Sequence, residues 1–344
     1  MSDWIKANLT SAGQAGLYVK NSQSFRLTGA GLIDGQGYDW WEHVFTTLED
    51  RRPFLVNFER CKDVTIDRLR FRNSPFWNIR LDDLLNVVVR DISIWTDVFR
   101  QKELAKKHGH YDYKLDIPVF PLNTDGLDPA AKNVLIENVT IENFDDAVAV
   151  KPLNKRNFYS SCSQDMVIRN STVIFGVGMS IGSVPPNEGV NCVRNVTFEN
   201  IRFVSPLKAI YIKTNPGEQG TGVIDQITYR NIQVRDTLWM PLWIGPQQQK
   251  QPGTSGTGCS FLYPIVDQCP TQPRVAVSNV KLENVTFDGS LLLPGVILCD
   301  QKSPCTGFQF TNVTNNGSFI VRKDYVCKNA AVKAQNMKPA LNCK

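Results

Sequence analysis

The chain has 344 residues, 42% of them hydrophobic, and this content is enough to bury a large core. No stretch approaches the roughly 18 consecutive apolar residues of a membrane helix, so we expect a soluble chain. Residues 1–6 lack a basic segment followed by an apolar core, so we expect that any export signal was removed or never included. The formal net charge of +5 favours polyanionic partners; nucleic acid is only weakly supported because no phosphate loop or RNA-binding motif is present, and an acidic polysaccharide fits equally well.

One phrase recurs along the chain: an alternating apolar run, a polar residue and a second short run. Period-two alternation rich in Val, Ile, Thr and Phe predicts strands, and because no segment of helical period separates them, a βαβ architecture is excluded. Repetition at steps of roughly 23–33 residues is typical of a solenoid. We therefore expect an all-β fold, a right-handed parallel β-helix (solenoid) forming a single domain over residues 1–344. The runs begin at Val64, Val87, Val134, Met166, Val196, Ile227, Val280 and Phe308.

An asparagine at the fifth position of the phrase is expected to fall at the same bend of successive coils, where side-chain amides hydrogen-bond along the stack. The residues predicted to form this ladder are Asn138, Asn170, Asn200, Asn231, Asn284 and Asn312. Those at 138, 170, 284 and 312 also head glycosylation sequons, but an amide inside the stack cannot carry a sugar. Asn8, Asn195 and Asn316 are therefore the better glycan candidates.

A second short strand follows each phrase, and these strands are expected to stack into one sheet. In-register strands lie about 4.8 Å apart, so equivalent residues of successive coils form a column. Asn123-Thr124-Asp125 occupies this column in one coil, and Asp145-Asp146 opens the strand in the next. Crowded carboxylates raise at least one pKa, which yields a protonated acid beside ionised neighbours, as a glycosidase requires. Turn capping and calcium binding are the alternatives.

Asp145 and Asp146 are adjacent in the sequence, so their side chains would point to opposite sides of an ideal strand. A bend or bulge must therefore turn both of them towards the cleft.

Two long loops are expected to shape the cleft. The basic insertion of residues 97–122 precedes Asp125 and would close one end of the groove, converting an endo-acting cleft into an exo-acting pocket; a solvated loop without substrate contact is the alternative. His108 and His110 in this insertion have metal-like spacing, but without a third ligand nearby we predict no metal site. The second loop, residues 247–272, is expected to stiffen the opposite rim.

Nine cysteines indicate an oxidising compartment and hence secretion. Zinc is the alternative, but no C-x-x-C pair or His-rich partner is present. Cys61 is expected to remain a buried thiol. The predicted disulfides are three close pairs, Cys259/Cys269, Cys299/Cys305 and Cys327/Cys343, and a bridge between neighbouring repeats, Cys162/Cys192.

Four ordered blocks resemble the polygalacturonase family, glycoside hydrolase family 28, whose members carry Asn-Thr-Asp, Asp-Asp, Gly-His-Gly and Arg-Ile-Lys. The corresponding blocks here are Asn123-Thr124-Asp125, Asp145-Asp146, Gly176-Val177-Gly178 and Tyr211-Ile212-Lys213. The resemblance runs from about Ile33 to Cys305 and so covers nearly the whole chain. It implies a pectin-degrading hydrolase that uses no metal or organic cofactor.

The resemblance also implies residue roles. Asp145 would be the general acid that protonates the glycosidic oxygen, while Asp125 and Asp146 position and deprotonate the attacking water, with inversion at the anomeric carbon. Inversion requires carboxyl groups roughly 6.5–9.5 Å apart. Lys213 would contact a galacturonate carboxylate. Asn123, Lys151 and Tyr211 are the other expected substrate-binding residues.

Two positions depart from the family pattern. Val177 stands in place of His, and Tyr211 replaces an Arg that grips a carboxylate with two hydrogen bonds, so we expect Tyr211 to face a less charged sugar on the leaving side. The favoured function is an exo-acting, monomeric hydrolase of galacturonosyl linkages in pectin, an acidic plant cell-wall polysaccharide. A rhamnogalacturonan galacturonohydrolase, a non-catalytic polysaccharide-binding β-helix and a calcium-dependent lyase remain as alternatives.

Overall fold

The computed structural model describes residues 14–113, 122–185, 187–249, 258–260, 262–317 and 319–343, and the backbone of residues 117–118. Within these residues, 22 strands form one continuous hydrogen-bonded sheet that winds into a solenoid. Successive coils pair in parallel, as β16 with β18 over residues 190–204 and 221–235. The predicted parallel β-helix is confirmed.

The strands fall into three stacks, named here the front, second and third stacks. The front stack contains β1 (Ala15–Lys20), β4 (Phe54–Glu59), the first half of β7 (Ile79–Arg90), the first half of β11 (Leu127–Glu137), β13 (Val148–Val150), β15 (Met179–Val184), β17 (Ile210–Thr214), β19 (Leu242–Gln247), β21 (Val296–Leu298) and β23 (Val326–Lys328).

The other two stacks share several long strands, which cross from the second stack to the third at an asparagine bend. The second stack alone contains β2 (Arg26–Thr28), β5 (Lys62–Asp67) and the second halves of β7 and β11. The third stack alone contains β3 (Leu32–Asp34), β6 (Arg70–Arg72), β8 (Ser93–Trp95) and β12 (Thr140–Asn143). The shared strands are β14 (Ser163–Phe175), β16 (Val190–Val204), β18 (Thr221–Arg235), β20 (Val275–Asp288), β22 (Cys305–Asn315) and β24 (Ala330–Lys338).

The interior of the coils is filled by the alternate apolar residues of all three stacks. Phe198 and Tyr229, on neighbouring coils, stack with ring centroids 4.6 Å apart, and the Tyr229 hydroxyl donates to the Met179 carbonyl at 3.1 Å. Each fully buried Val, Ile or Phe contributes about 1.5–3 kcal/mol of transfer free energy, so the apolar interior of the coils supplies most of the stabilisation of the fold. Period-two alternation therefore fixes which face of each strand points inward.

Five of the six predicted asparagines form a ladder, on the outer surface rather than inside the stack, whereas the Asn138 amide donates to Asp91 at 3.1 Å. Its members adopt left-handed φ angles of 53° to 55°, which asparagine tolerates better than most residues. Their side-chain amides bond along the stack at 3.0–3.2 Å, from Asn336 through Asn312, Asn284 and Asn231 to Asn200 and Asn170. The residues are exposed because the bends lie at the solvent-facing corner of each coil.

Two of the three glycan candidates also take part in such contacts. The Asn195 amide donates to Asp165 at 2.8 Å and the Asn316 amide donates to Asp288 at 2.9 Å. Asn8 lies outside the described residues. Position at a bend therefore does not separate these candidates from the ladder residues.

In the part of the chain that the structure describes, two helices interrupt the strands, which corrects the expectation that no segment of helical period is present. They are α1 (Tyr38–Thr47) and α2 (Val98–Lys107), each of ten residues. The carboxylate of Asp97 caps α2 by accepting from the Arg100 backbone N–H at 2.9 Å. After α2, β9 (Tyr111–Asp112) and β10 (Ile117–Pro118) form a short antiparallel pair. The insertion is thus partly ordered structure and not only a loop.

All four predicted disulfides are present: Cys162–Cys192, Cys259–Cys269, Cys299–Cys305 and Cys327–Cys343. Cys61 is a buried free thiol, also as predicted. Among the described helices, none has the length and apolar character needed to cross a membrane.

Candidate active site

The front stack brings the predicted aspartates together at the start of neighbouring strands. Leu127, Val148, Met179 and Ile210 are register partners on β11, β13, β15 and β17. Two residues before each of them lie Asp125, Asp146, Val177 and Lys208 respectively. Strand register therefore places these four residues in one column, which we name the catalytic column.

Asp145 and Asp146 lie in a bend before β13, and this bend turns both side chains to the same side, as predicted. One carboxylate oxygen from each of Asp125, Asp145 and Asp146 lies within 4.8 Å of the other two. The three carboxylates therefore form one cluster, from two adjacent coils. Its oxygen spacing is shorter than the roughly 6.5–9.5 Å carboxyl separation expected for inversion, so this spacing does not support that expectation.

Asp146 is fully buried and held by two groups from later coils. Lys213 on β17 forms an ion pair with its Oδ2, and the Ser180 hydroxyl on β15 donates to its Oδ1. Although burial acts to lower the pKa of Lys213, the carboxylates of Asp146, Asp145 and Asp125 raise it. Both carboxylate oxygens of Asp146 therefore accept from a donor on a later coil.

A second ion pair lies on the other side of the cluster. The Lys151 ammonium is 3.0 Å from Asp128 Oδ1 and 3.9 Å from Asp125 Oδ2, and it stands 4.7 Å from the centroid of the Trp77 ring. Burial raises the pKa of Asp128 to about 6, against the opposing effect of Lys151. The site thus contains a fourth carboxyl group that the sequence analysis did not assign.

Asp125 and Asp145, like Asp128, have raised pKa values that favour retention of a proton. Burial, followed by Asp128 and Asp145, raises the pKa of Asp125 well above its usual range. Burial and then Asp146 raise the pKa of Asp145, whose Oδ2 accepts the Asn123 backbone N–H at 3.2 Å. Asp145 is also only half-buried, whereas Asp125 is 2% exposed. Asp145 is therefore the carboxyl group better placed to meet a substrate oxygen.

The Gly176-Val177-Gly178 block supports the bend from the next coil. A Cβ at Gly176 would stand 2.6 Å from Asn143 Oδ1, and one at Gly178 would stand 2.3 Å from the Ala209 carbonyl oxygen; both residues also have positive φ. Between them, the Val177 N–H donates to the Asp145 carbonyl at 2.9 Å. Val177 replaces His with an apolar, half-buried side chain, so no ionisable group stands at this point of the column.

Tyr211 lies behind the cluster and is only 3% exposed. Its ring centroid is 3.7 Å from the Lys208 ammonium and 4.6 Å from that of Lys213, and its hydroxyl donates to Gln249 Oε1 at 3.3 Å. Protein groups therefore occupy its ring and its hydroxyl, and its contact with a leaving-side sugar stays a prediction. Burial raises the pKa of Tyr211 well above its usual value, so the phenol stays neutral.

The other expected substrate-binding residues lie at the cluster. Lys213 is buried against Asp146, while Lys151 and Asn123 are half-buried. Ser180, Asp128 and Lys208 were missed by sequence reasoning. A signal for Lys208 existed, because aligning Ala147, Gly178 and Ala209, the residues that open successive second strands, places it in the column of Asp146 and Val177.

The insertion packs beside the catalytic bend. Leu104 of α2 belongs to an apolar cluster with Phe45 of α1, with Leu122, and with Phe144, the residue before Asp145. The Arg52 guanidinium donates to the Leu122 carbonyl and so ties this rim to the front stack. His110 stacks on Phe45 with ring centroids 5.6 Å apart. The insertion therefore forms a rim of the site.

The comparisons agree with this architecture. The family model for glycosyl hydrolases family 28 matches residues 6–336. The chain belongs to this family. A polygalacturonase of Juniperus ashei is 26% identical over 298 residues, covering 84% of this chain and 50% of the relative. A probable exopolygalacturonase C of Aspergillus niger is 25% identical over 340 residues, covering 91% of this chain and 68% of the relative.

The chain thus spans about half the length of the first of these family 28 relatives. A polygalacturonase from Erwinia carotovora ssp. carotovora has the same fold, with a TM-score of 0.65 at 19% identity, over 94% of this chain and 78% of that one.

Proposed function

We propose that this chain hydrolyses galacturonosyl linkages in pectin by removing units from a chain end. The observation that carries this proposal is the buried cluster of Asp125, Asp145 and Asp146, contributed by two adjacent coils and flanked by Lys151 and Lys213. A polysaccharide-binding solenoid without activity has no need for three crowded carboxyl groups, since repulsion between like charges is unfavourable.

The surroundings of the carboxyl groups support different roles for them. Asp145 is half-buried and has a raised pKa, so it can carry the proton that the departing glycosidic oxygen requires. Asp146, paired with Lys213, is assigned as the group that accepts a proton from water, with Asp125 holding that water. Hydrolysis by this route needs no metal, although the three carboxylate oxygens are of a type that also binds divalent cations.

Inversion at the anomeric carbon is part of the proposal. A retaining mechanism uses two carboxyl groups, an acid and a nucleophile, whereas a third carboxylate in the cluster fits a water held by two groups. The short spacing of the oxygens argues the other way, so the anomer of the first product is the quantity to measure.

Substrate charge, exo action and secretion are proposed on separate grounds. Lys151 and Lys213 supply positive charge suited to a uronate, and the rim formed by α2 limits the cleft beside Asp145. The name of the Aspergillus niger relative agrees with exo action. Four disulfides agree with an oxidising, extracellular location, and we expect a monomer that binds neither nucleic acid nor a membrane.

The deciding experiment compares oligomers of homogalacturonan and rhamnogalacturonan as substrates. Proton NMR of the first turnover identifies the anomer, and chromatography identifies the size of the product. We expect monomeric galacturonate of inverted configuration from homogalacturonan, with chelator present or absent. Faster release from rhamnogalacturonan would assign the alternative hydrolase, and a chelator-sensitive, ultraviolet-absorbing product would assign a lyase.

A further inference from the structure

Lys208 is a buried lysine in the catalytic column that the proposed chemistry does not use. Its exposed fraction is 0%, and it lies two residues before β17, where Asp146 stands relative to β13. Lysine is almost never fully buried without compensating partners. The surroundings of its ammonium therefore decide whether it carries a charge.

Three aromatic rings and one amide surround the Lys208 ammonium. Its Nζ lies 3.7 Å from the centroid of Tyr211 and 4.5 Å from those of Trp239 and Trp243. It also donates to Gln249 Oε1 at 3.2 Å. The negative face of an aromatic ring attracts a cation within about 6 Å, and this attraction increases in a desolvated site. We name this group of four residues the lysine cage.

The charged groups facing the cage act in opposite directions. Burial and the neighbouring Lys213 lower the pKa of Lys208 well below that of an exposed lysine, whereas Asp146 and Asp145 raise it. Tyr211 is neutral, and Gln249, Trp239 and Trp243 carry no charge. The ring faces of the cage add a stabilisation of the ammonium form that opposes the effect of burial.

The catalytic aspartates act on Lys208 through their charge. Asp125, Asp128, Asp145 and Asp146 meet here with two ammonium groups, Lys151 and Lys213. Burial raises the pKa of Asp125, Asp128 and Asp145, so ionising these carboxyl groups is unfavourable without nearby positive charge. A cationic Lys208 adds to that positive charge and so favours their ionised forms.

We propose that Lys208 is a positioning residue, held as an ammonium by the lysine cage, whose positive charge stabilises the ionised form of the catalytic aspartates without touching the substrate. The family pattern has His at position 177 and Arg at position 211, where this chain has Val and Tyr. Lys208, one coil after Val177 in the catalytic column, therefore provides the positive charge on this side of the column. The activity readout of this inference rests on the proposed function, whereas the charge of Lys208 can be measured without any substrate.

The first test is the pH dependence of kcat/KM for Lys208→Met. Two strand spacings place the lysine about 9.6 Å from Asp146, and at an effective dielectric constant of about 20 a charge at this distance changes a pKa by about one unit. Removing a positive charge raises carboxyl pKa values. We therefore expect both limbs of the pH profile to move up by about one pH unit, while Lys333→Met, an exposed lysine on β24, leaves the profile unchanged. Superimposable profiles for the folded Lys208→Met variant and the parent would overturn the proposal.

A second variant moves the charge instead of deleting it. Lys208→Met combined with Tyr211→Arg places a cation three residues later, and we expect it to return the limbs towards their positions in the parent. Failure of this double variant to shift the limbs, although it is folded, would also count against a charge effect.

The charge of Lys208 itself is measured in the parent protein by NMR of lysines labelled with carbon-13 at Cε. The signal from Lys208 is recognised by the ring-current shift of three aromatic neighbours, even if Lys208→Met does not fold. We expect the chemical shift of an ammonium at the pH of maximal activity, or at pH 5 if no activity is found. The shift of a neutral amine would overturn the proposal, whatever substrate the protein proves to hydrolyse.

Discussion

Asp125 and Asp145 are the two residues of the cluster between which the role of general acid must be decided. The pKa of Asp125 is raised the more strongly of the two, by burial and by Asp128 and Asp145. Asp145 has a raised pKa too, and it is the more accessible to an incoming glycosidic oxygen. Accessibility, and not the size of the pKa shift, is what assigns the acid to Asp145, because a proton must be delivered at hydrogen-bond distance.

Substituting each aspartate in turn separates the two. Asp145→Asn should lower kcat/KM on galacturonate oligomers at least about a hundredfold, since a general acid contributes that much or more. On α-galacturonosyl fluoride, whose leaving group departs without a proton, the same variant should keep a rate close to that of the parent. Asp125→Asn should lose activity on both substrates.

The outcome that contradicts this assignment is equally specific. If Asp145→Asn is slow on the fluoride while Asp125→Asn is rescued by it, the acid is Asp125. Circular dichroism spectra matching the parent establish that each variant is folded.

Tyr211 gives a second prediction at this scale, which follows from the contacts of its side chain within the protein. The four family-like sequence blocks indicated that the Tyr211 ring faces a sugar. In the structure the side chain is buried, and the ammonium groups of Lys208 and Lys213 lie near its ring. Tyr211→Arg should therefore add a third cation to a buried site and cost roughly 3–5 kcal/mol of stability, as expected for an uncompensated charge. Tyr211→Phe, the matched control, loses only a hydrogen bond to Gln249, worth about 0.5–1.5 kcal/mol.

Urea unfolding of the two variants and the parent measures this difference. An unchanged midpoint for Tyr211→Arg, together with a raised preference for homogalacturonan over rhamnogalacturonan oligomers, would instead support the sugar contact that the sequence indicated.

Sequence patterns located the aspartates but not their partners. Asp125, Asp145 and Asp146 could be predicted because repeat position and block order both marked them. Ser180 and Lys208 could not be recognised by residue type, since a serine and a lysine at a strand start usually meet solvent. Their roles depend on register across three coils, which the parallel pairing of the strands in the folded solenoid establishes.

At the scale of elements, α2 is the feature most directly connected with exo action. Its buried face packs Leu104 into the cluster that reaches Phe144, next to the proposed acid, while Phe99 on the same helix is 72% exposed. The helix was missed in the sequence because ten residues inside a basic insertion resemble a solvated loop. The signal available for predicting it was an N-cap residue, Asp97, followed by the apolar residues Val98, Leu104 and Ala105, which are buried in the structure.

Loosening α2 tests whether it limits the cleft. Leu104→Ala creates a cavity in the apolar cluster, at a local cost of about 2–5 kcal/mol. With hexagalacturonate as substrate, we expect this variant to release dimers and trimers in addition to monomer. Phe99→Ala, which removes an exposed ring from the same helix, should leave the product pattern unchanged.

Chromatography of the first ten per cent of turnover is the measurement. If Leu104→Ala still releases only monomer while its helix is shown by proteolysis to be loosened, α2 does not set the mode of action. The main unfolding transition should move little, because this cluster is separate from the interior of the coils.

At the scale of the whole molecule, the asparagine ladder links coils over more than half of the solenoid. Its positions were predicted from the fifth residue of the repeat, but its exposure was not, because the phrase does not reveal on which side of the bend the amide lies. Asn231 occupies the middle, donating to Asn200 at 3.0 Å and accepting from Asn284 at 3.2 Å. Its φ of 54° adds a backbone requirement to the two hydrogen bonds.

Substitutions at Asn231 distinguish the two contributions. Asn231→Ala loses both side-chain hydrogen bonds and places a Cβ residue in the left-handed region, so we expect a loss of about 2–3 kcal/mol. Asn231→Gly loses the same bonds without that backbone strain and should be about 1 kcal/mol more stable than the alanine variant. Asn336→Ala, at the end of the ladder, loses a single ladder bond and should be the mildest alanine substitution. Urea unfolding followed by tryptophan fluorescence gives the three values. Equal losses for the glycine and alanine variants would show that the hydrogen bonds alone matter, and losses below about 0.5 kcal/mol throughout would show that the stacked interior holds the coils in register without the ladder.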